Sequence, residues 1–286
     1  LRRQRQMCIR DSIGTDHYKQ GAEKSVKREL LNIEGGKIKK GNNVIFDDLS
    51  LELFQGEITG IVFDDILEQK LFIDMLLGDV LLYSGKIFVN EERKAYEEAA
   101  RLLKQQVAVI GSKSKLLPSI TIEDNIFLFS DRKLFLDQKE YRERFQKLRT
   151  ELNISNDMPH KVRNLSAKEK VIIELLKAYE ERKKIVILDE ITSLLSEKDL
   201  GEVFSLIDKM KSQMSFLVTV GFEDFIMEWM ESIAVVQNGR TTFVSGISQL
   251  NCKLSKVLKA LIYENKAETF GAVSYTHLTL PTKLEV

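Results

Sequence analysis

The sequence lacks an excess of charge, a long apolar run and a set of cysteines. Lys+Arg and Asp+Glu both number 43, so the chain has no net charge with which to attract nucleic acid or an anionic membrane surface. No apolar stretch approaches the roughly 18 residues of a membrane-spanning helix. The two cysteines, Cys8 and Cys252, are too few and too far apart for a disulfide framework or a metal knuckle, which is typical of a reducing compartment. With 286 residues, of which 43% are hydrophobic, the chain can form one large or two modest globular domains.

Both ends of the chain differ from the remainder. Residues 2–12 match a translation of a transposon-type sequencing adapter, and residues 273–282 match a translation of its reverse complement. Because selection would rarely produce two such related peptides, we interpret residues 1–12 and 273–286 as adapter-derived. Cys8 and His277 would then carry no chemistry, and we expect residues 13–272 to belong to a longer gene product that is open at both ends.

A short strand that ends in two carboxylates is the first candidate site. Ile185 to Leu188 is an unbroken apolar run after a helix-like segment, which predicts a parallel strand buried on both faces. The carboxyl end of such a strand faces the ligand crevice of an α/β sheet. Asp189 and Glu190 would therefore lie where a phosphate-bound metal and an attacking water are placed. The alternative is a strand that ends in a solvated acidic turn.

The order of the predicted elements indicates an α/β fold. Turn-rich segments separate short strands near the beginning, among them a turn at Gly35-Gly36, and these predict an antiparallel β edge. Strands then alternate with helices, which predicts a mainly parallel central sheet. A charged amphipathic segment at Arg132–Asn153 predicts a helical subdomain over residues 113–180. Thr121 and Ser166 are placed to cap helices.

Five segments carry a resemblance to a known family. They are Gln55-Gly56-Glu57-Ile58, Ser84-Gly85-Lys86-Ile87, Leu117-Pro118-Ser119-Ile120-Thr121-Ile122-Glu123-Asp124-Asn125-Ile126-Phe127-Leu128, Val162-Arg163-Asn164-Leu165-Ser166 and Ile187-Leu188-Asp189-Glu190-Ile191-Thr192-Ser193-Leu194-Leu195. Together they resemble the ATP-binding cassette of ABC transporters, closest to the first cassette of tandem sugar-importer ATPases. The resemblance extends over nearly all of Leu31–Ile262 and implies a P-loop NTPase-like fold.

The resemblance also implies roles, cofactors and partners. Asp189 would reach Mg²⁺ through water, and Glu190 would act as the general base of ATP hydrolysis. Ser112 stands at the position of the metal- and water-sensing glutamine, and Gly221 at that of the switch histidine. The implied cofactors are ATP and Mg²⁺. The implied partners are a second ABC cassette, in the same or another chain, and a membrane permease subunit, with no nucleic acid. The protein would be cytoplasmic and peripheral to the inner face of the cell membrane, where the helical subdomain contacts the permease.

The segment aligned with the family's phosphate loop departs from its pattern. Such a loop needs glycines, whose backbone N–H groups can converge on phosphates, followed by Lys and then Ser or Thr. The matching residues 63–71 contain no glycine and three acidic side chains. Gln69 aligns with the lysine and Lys70 with the hydroxyl residue; a shift by one residue restores the lysine but puts Leu71 on the metal. We expect this loop to disfavour Mg-ATP, because carboxylates repel phosphate oxygens.

Other nucleotide-binding positions depart in the same direction. The signature motif reads Leu165-Ser166-Ala167-Lys168-Glu169, so Ser166 keeps its position whereas Lys168 replaces the glycine that approaches the γ-phosphate bound by the partner cassette. Without a phosphate cradle a general base has no substrate. We therefore expect Asp189 and Glu190 to be inherited strand-end residues that hydrogen-bond nearby backbone N–H groups.

Three functions follow from these observations. The first hypothesis is a degenerate cassette with weak or no ATP binding and hydrolysis, which acts as the structural or regulatory half of a cassette pair. The second is an active ATPase that energises carbohydrate import. The third is a soluble interaction module that reuses the fold outside transport. The expected organisation is a lead-in at 13–28, a nucleotide-binding domain at 29–250, and a closing helix or linker to a missing second half at 251–272.

Overall fold

A computed structural model describes residues 27–127, 138–154, 161–220 and 229–245. Within these ranges one sheet contains ten strands. They are β1 (Glu29–Lys40), β2 (Asn43–Phe54), β3 (Ile58–Phe63), β4 (Ser84–Val89), β5 (Glu92–Arg93), β6 (Val107–Ile110), β7 (Ile185–Leu188), β8 (Ser215–Thr219), β9 (Ser232–Gln237) and β10 (Arg240–Ser245).

Seven helices are described in the same ranges, besides a 3₁₀ turn at Val162–Asn164. They are α1 (Ile66–Leu76), α2 (Tyr96–Gln106), α3 (Ile122–Phe127), α4 (Gln138–Leu152), α5 (Ala167–Glu180), α6 (Ile191–Leu194) and α7 (Glu197–Met210). None of these helices combines the length and the apolar character needed to cross a bilayer.

The sheet has the order β5-β4-β1-β2-β10-β9-β3-β8-β7-β6. Strands β9, β3, β8, β7 and β6 run parallel to one another, whereas β1, β2, β4 and β5 pair with one another in antiparallel fashion. The two parts meet at β10, which is parallel to β2 and antiparallel to β9. This arrangement confirms the predicted α/β fold with a mainly parallel centre and an antiparallel β edge.

The predicted turn at Gly35-Gly36 is wrong, because β1 continues through both glycines. The pairing of β1 with β2 changes register between Ile33 and Gly36, so the chain forms a bulge there instead of reversing. Gly35 has a φ of +58°, and a Cβ on Gly36 would lie 2.8 Å from Cγ2 of Ile33. The two glycines therefore mark a bulge within a strand.

The central sheet separates two hydrophobic clusters. Val186 and Leu188 of β7 face the cluster that includes α3, α4, α5 and α7. Ile185 and Ile187, which alternate with them, face the cluster that includes β1, β2, α1 and α2. All four side chains are at most 1% exposed. The strand is therefore buried on both faces, as its sequence predicts.

Two helix starts agree with the sequence. The Asp124 N–H donates to Oγ1 of Thr121 at 3.1 Å, at the start of α3. At the start of α5, the Glu169 N–H donates to Oγ of Ser166 at 3.3 Å, and the Ser166 N–H donates to Oε2 of Glu169 at 2.7 Å. Both ends of this capping box satisfy N–H groups that the helix itself leaves without a partner.

Several predictions concern residues outside the described ranges. These are Gly221, the adapter-like ends, most of the lead-in at 13–28 and the closing helix at 251–272. The helix predicted at Arg132–Asn153 is described only from Gln138 onward, as α4. The proposed domain boundaries therefore stay predictions.

Candidate functional site

The candidate site lies where three parallel strands end. α1 begins after β3, the two carboxylates follow β7, and Thr219 closes β8. The Gln69 side chain of α1 joins the first two segments, because its Nε2 donates to Oδ1 of Asp189 at 2.8 Å. The same nitrogen lies 3.5 Å from Oε1 of Glu190. The structure thus brings together the residue at the lysine position and both candidate catalytic carboxylates.

Thr219 also contacts this group, and sequence reasoning did not identify it. Its Oγ1 donates to Oδ1 of Asp189 at 3.1 Å and accepts from the Glu190 N–H at 2.8 Å. The sequence signal for this contact is a hydroxyl residue, Thr219, at the carboxyl end of a predicted parallel strand. Parallel strands end at the same edge of a sheet, so such a residue lies near the carboxylates that follow β7. Among the described residues, the donors to the Asp189 carboxylate are therefore the side chains of Gln69 and Thr219, and not the backbone N–H groups that the sequence predicts.

Glu190 adopts a backbone conformation that is uncommon for its residue type. Its φ of 54° and ψ of 31° are left-handed, and it precedes the four-residue helix α6. The Ser193 hydroxyl donates to the Glu190 carbonyl at 2.7 Å, which helps to hold this turn. A left-handed conformation costs a residue with a Cβ about 1–3 kcal/mol, and such residues are concentrated at functional sites.

The N-terminus of α1 is capped by a side chain from its own chain. The Asp65 carboxylate accepts from the Leu67 N–H at 2.5 Å and from the Glu68 N–H at 3.3 Å. Ile66, within the aligned segment, is already helical. The segment aligned with a phosphate loop is therefore a capped helical turn. An aspartate before an apolar helical run is an N-cap signal, so Asp65 has a structural role besides the repulsive charge predicted for it.

Glu68 points into the protein from the first turn of α1. It is 7% exposed, and its Oε1 accepts from the Gly239 N–H, in the turn between β9 and β10, at 2.8 Å. Its Oε2 is buried without a hydrogen-bond partner among the described residues. Burial raises the pKa of Glu68, the Gly239 hydrogen bond opposes this, and the charges of Asp65 and Asp64 raise the pKa further.

The two residues predicted at the lysine and hydroxyl positions differ in their surroundings. Gln69 is partly buried, and its side chain reaches both carboxylates. Lys70 is exposed. The assignment of Gln69 to the lysine position and of Lys70 to the hydroxyl position stays a prediction.

The signature segment is held by intramolecular contacts. Ser166 caps α5, as described above. Lys168 Nζ lies 2.8 Å from Glu202 Oε2 and 3.1 Å from Asp199 Oδ1, both on α7. Hydrogen bonds to Glu202 and then to Asp199 raise the pKa of Lys168, whereas hydrogen bonds from Ser196 and Lys168 lower the pKa of Asp199. The structure thus joins Lys168 to α7, and not to the group around Asp189.

Ser112 makes no described contact with either carboxylate. It is exposed and follows Gly111, where an added Cβ would be 3.2 Å from Cβ of Asp189. A side chain at position 111 would therefore press on Asp189. Gly221, at the switch-histidine position, lies outside the described residues.

Comparison with known proteins decides the family. A family model for ABC transporters matches residues 46–193, which is more than half of the 286 residues. The chain belongs to the ABC transporter family. The matched region of this ABC protein contains the capped turn at Asp65 and both carboxylates at Asp189 and Glu190.

Curated relatives of this ABC protein have names from sugar import. The chain is 22% identical over 243 residues to the galactose/methyl galactoside import ATP-binding protein MglA of Clostridium perfringens, which covers 84% of the chain and 46% of the relative. It is 26% identical over 196 residues to the arabinose import ATP-binding protein AraG of Rhizobium meliloti, which covers 68% of the chain and 39% of the relative. The chain therefore spans less than half the length of these relatives.

Solved structures share the fold of this ABC protein. cbiO1 from Clostridium perfringens, part of the ABC transporter complex cbiONQ, superposes with a TM-score of 0.69 at 15% identity and covers 85% of this chain and 98% of that one. An ATP-binding cassette of an ABC transporter in its ADP conformation superposes with a TM-score of 0.67 at 18% identity, and covers 82% and 98%. At these identities the likeness concerns the fold alone.

Proposed function

We propose that this ABC cassette is of the sugar-importer type, has lost most or all of its capacity to bind and hydrolyse Mg-ATP, and serves as the structural or regulatory half of a cassette pair. The observation that carries the proposal is the start of α1. There the Asp65 carboxylate accepts from the N–H groups of Leu67 and Glu68, which lie in the segment aligned with the phosphate loop.

A phosphate would have to displace the Asp65 carboxylate to reach these N–H groups. Helix N-termini bind anions because their N–H groups are unpaired and the helix dipole is positive there. Here the Asp65 carboxylate already accepts from these N–H groups and already places a negative charge at the positive end of the helix dipole. A displaced carboxylate that stayed nearby would repel the phosphate by about 4 kcal/mol for unit charges about 4 Å apart at an effective dielectric of about 20. The loop therefore disfavours a polyanion twice, by occupancy and by charge.

The neighbouring residues do not fit Mg-ATP either. Gln69 is neutral, so it offers no charge to a phosphate, and its amide is engaged with Asp189 at 2.8 Å. Oδ1 of Asp189 accepts a second hydrogen bond from Thr219 at 3.1 Å. A ligand held through Mg²⁺ at Asp189 would have to compete with both donors. Asp189 and Glu190, the positions for Mg²⁺ and for the general base, are on this proposal inherited residues that fasten α1 to the ends of β7 and β8.

The signature segment supports the same proposal. A glycine there would leave the backbone open to a neighbouring ligand, whereas Lys168 has a long side chain fixed between Asp199 and Glu202. Ser166 is engaged in its capping box. Both positions are thus occupied by contacts that hold α5 in place.

The proposed partners follow from the family and the relatives. A second cassette, in the same or another chain, would carry whatever hydrolysis occurs, and a membrane permease subunit would be contacted by the helical subdomain. We place the chain on the cytoplasmic side, peripheral to the inner face of the cell membrane. The names of the relatives indicate a carbohydrate as the transported substrate.

Thermal unfolding with added Mg-ATP tests the proposal. A ligand at 100 times its dissociation constant adds about 2.7 kcal/mol to the free energy of unfolding, so an intact site would raise Tm clearly. We expect no rise for the full chain at millimolar Mg-ATP. A variant that removes the Asp65 cap and rebuilds the loop should show one; its changes are Phe63→Gly, Asp65→Gly, Glu68→Gly, Gln69→Lys and Lys70→Ser.

The competing functions give different results. An active ATPase would hydrolyse ATP as the isolated chain and lose that turnover in Glu190→Gln, and this result would overturn the proposal. A soluble interaction module would leave ATP unbound but would not copurify with a permease. Copurification of a permease without an ATP-dependent rise in Tm is the expected combination.

A further inference from the structure

The edge strand β6 borders a large groove outside the site described above. β6 is the last strand of the sheet and pairs only with β7 in the described part of the chain. A groove of about 1000 Å³ runs along it, lined by all four of its residues, by Lys104 and Gln105 of α2 and by the C-terminal half of α5. An edge strand in an open groove presents backbone groups that a further strand can pair with.

The hydrogen bonds to β7 show which backbone groups of β6 point outward. The Ile110 carbonyl accepts from the Asp189 N–H at 2.7 Å, and the Gln106 carbonyl accepts from the Lys184 N–H at 2.8 Å. In a parallel pair, the backbone N–H and C=O groups of successive residues point alternately toward and away from the neighbouring strand. Those of Val107 and Val109 therefore point away from β7. The Val107 N–H is bonded to the Leu103 carbonyl as the C-cap of α2. The described residues contain no backbone partner for the Val109 N–H and C=O, which face the groove.

The groove has an excess of positive charge. Six basic and three acidic residues line it. The acidic ones are engaged: Glu174 accepts from Ser114 and the Lys115 N–H, and the others pair with Arg144 and Lys183. Among the described residues, neither Lys115 nor Arg182 pairs with a carboxylate, and both are exposed. An occupant with carboxylates on its flanks would therefore match the groove better than a neutral or basic one.

We propose that the groove along β6 binds an extended acidic segment of a partner protein, which adds a strand to the sheet at Val109. The segment contributes main-chain hydrogen bonds to the Val109 N–H and C=O, and its carboxylates contact Lys115 and Arg182. Main-chain pairing gives affinity in this mode of recognition, and the side chains give specificity. The four residues of β6 offer about 13 Å of edge, enough for a segment of about four to five residues. This inference does not depend on the state of the nucleotide site.

Synthetic octapeptides test the proposal on the full chain. The probe alternates Val and Glu, a charge control alternates Val and Lys, and a backbone control repeats the Val-Glu sequence with N-methyl groups on alternate residues. Fluorescence anisotropy at about 50 mM and about 300 mM salt measures binding. The Val-Glu peptide should bind at least about tenfold tighter than both controls and weaken with salt. Equal binding of the N-methylated peptide, or no binding of the Val-Glu peptide, overturns the proposal.

Protein variants locate the site. Val109→Pro removes the outward N–H but keeps the bonds to β7, so it should reduce affinity about tenfold, whereas Val109→Ala keeps the N–H and should bind normally. The double variant Lys115→Glu, Arg182→Glu changes two groove residues outside β6. It removes the positive charges that contact the peptide's carboxylates, so it should also reduce affinity about tenfold. Unchanged binding in this double variant overturns the assignment of the groove even where Val109→Pro fails to fold.

Discussion

Asp65, Glu68 and Gln69 lie at the start of α1, and each side chain bonds to a different part of the molecule. Asp65 caps its own helix, Glu68 accepts from Gly239 in the turn between β9 and β10, and Gln69 donates to Asp189 after β7. A glycine at position 68, or a phosphate at the helix end, would leave some of these partners unsatisfied. At the scale of residues, the side chains aligned with a phosphate loop thus make stabilising contacts. Their removal should lower the free energy of unfolding by a measurable amount.

Removal of the cap at α1 should destabilise the fold. Asp65→Ala leaves the N–H groups of Leu67 and Glu68 without their side-chain acceptor, and loss of an N-cap costs about 0.5–2 kcal/mol. Urea denaturation should therefore show a lower midpoint with an unchanged slope. Asp65→Asn keeps a good capping side chain and is the matched control. A full loss in Asp65→Asn would show that the charge of Asp65, and not its capping geometry, stabilises α1.

Glu68 should make stability depend on pH. Burial raises its folded-state pKa above the ordinary value of 4.5, and the nearby charges of Asp65 and Asp64 add to this, against the Gly239 N–H. Because the folded pKa is the higher one, the contribution of Glu68 is fully present below about pH 4.5 and is lost as pH rises through the folded pKa.

Glu68→Gln removes this titration and retains an acceptor for Gly239. The free energy of unfolding of the variant, relative to the original chain, should therefore increase as pH rises above about 4.5 and then become constant. Chemical denaturation at a series of pH values measures the difference. Glu97→Gln, on the exposed side of α2, controls for the loss of one negative charge. A constant difference at all pH values would contradict the assignment of the titration to Glu68.

At the scale of elements, local signals predicted some boundaries well and missed others for identifiable reasons. The starts of α3 and α5 were predictable because Thr121 and Ser166 are side chains that cap through neighbours in sequence. The bulge at Gly35-Gly36 was not, because a glycine pair signals a turn and a bulge equally and only the pairing of β1 on both sides distinguishes them. The role of Glu68 was hidden because its partner, Gly239, is 171 residues away.

The link between α5 and α7 should make a small, salt-sensitive contribution to stability. Lys168 bridges Asp199 and Glu202 with 26% of its side chain exposed. Exposed ion pairs contribute about 0.2–1 kcal/mol, and salt screens them. Lys168→Met should lower the free energy of unfolding by about 0.5 kcal/mol at low salt, and by less in about 1 M NaCl. Lys70→Met, at an exposed position on α1, is the control. An equal loss of unfolding free energy in this control would show that the effect of Lys168→Met does not come from its ion pairs.

At the scale of the whole molecule, the site and the fold differ in how far the sequence determines them. The sheet could be predicted because buried strands such as Ile185–Leu188 and alternating helices leave few arrangements. The group around Asp189 could be predicted only in part. The rule that parallel strands end together placed the carboxylates, but the contacts of Gln69 and Thr219 depend on the register of β3, β7 and β8, which one sequence does not specify.

The two hydrophobic clusters should unfold together, because the central sheet belongs to both. Ile187 and Leu188 are adjacent on β7, each is fully buried, and they face opposite clusters. Ile187→Ala and Leu188→Ala should each cost about 2–5 kcal/mol through lost burial and the cavity left behind. Both variants should shift one common transition, so that far-UV and near-UV circular dichroism give the same midpoint. If Leu188→Ala instead separated the two signals while Ile187→Ala did not, the layer formed by α3, α4, α5 and α7 would unfold independently of the sheet.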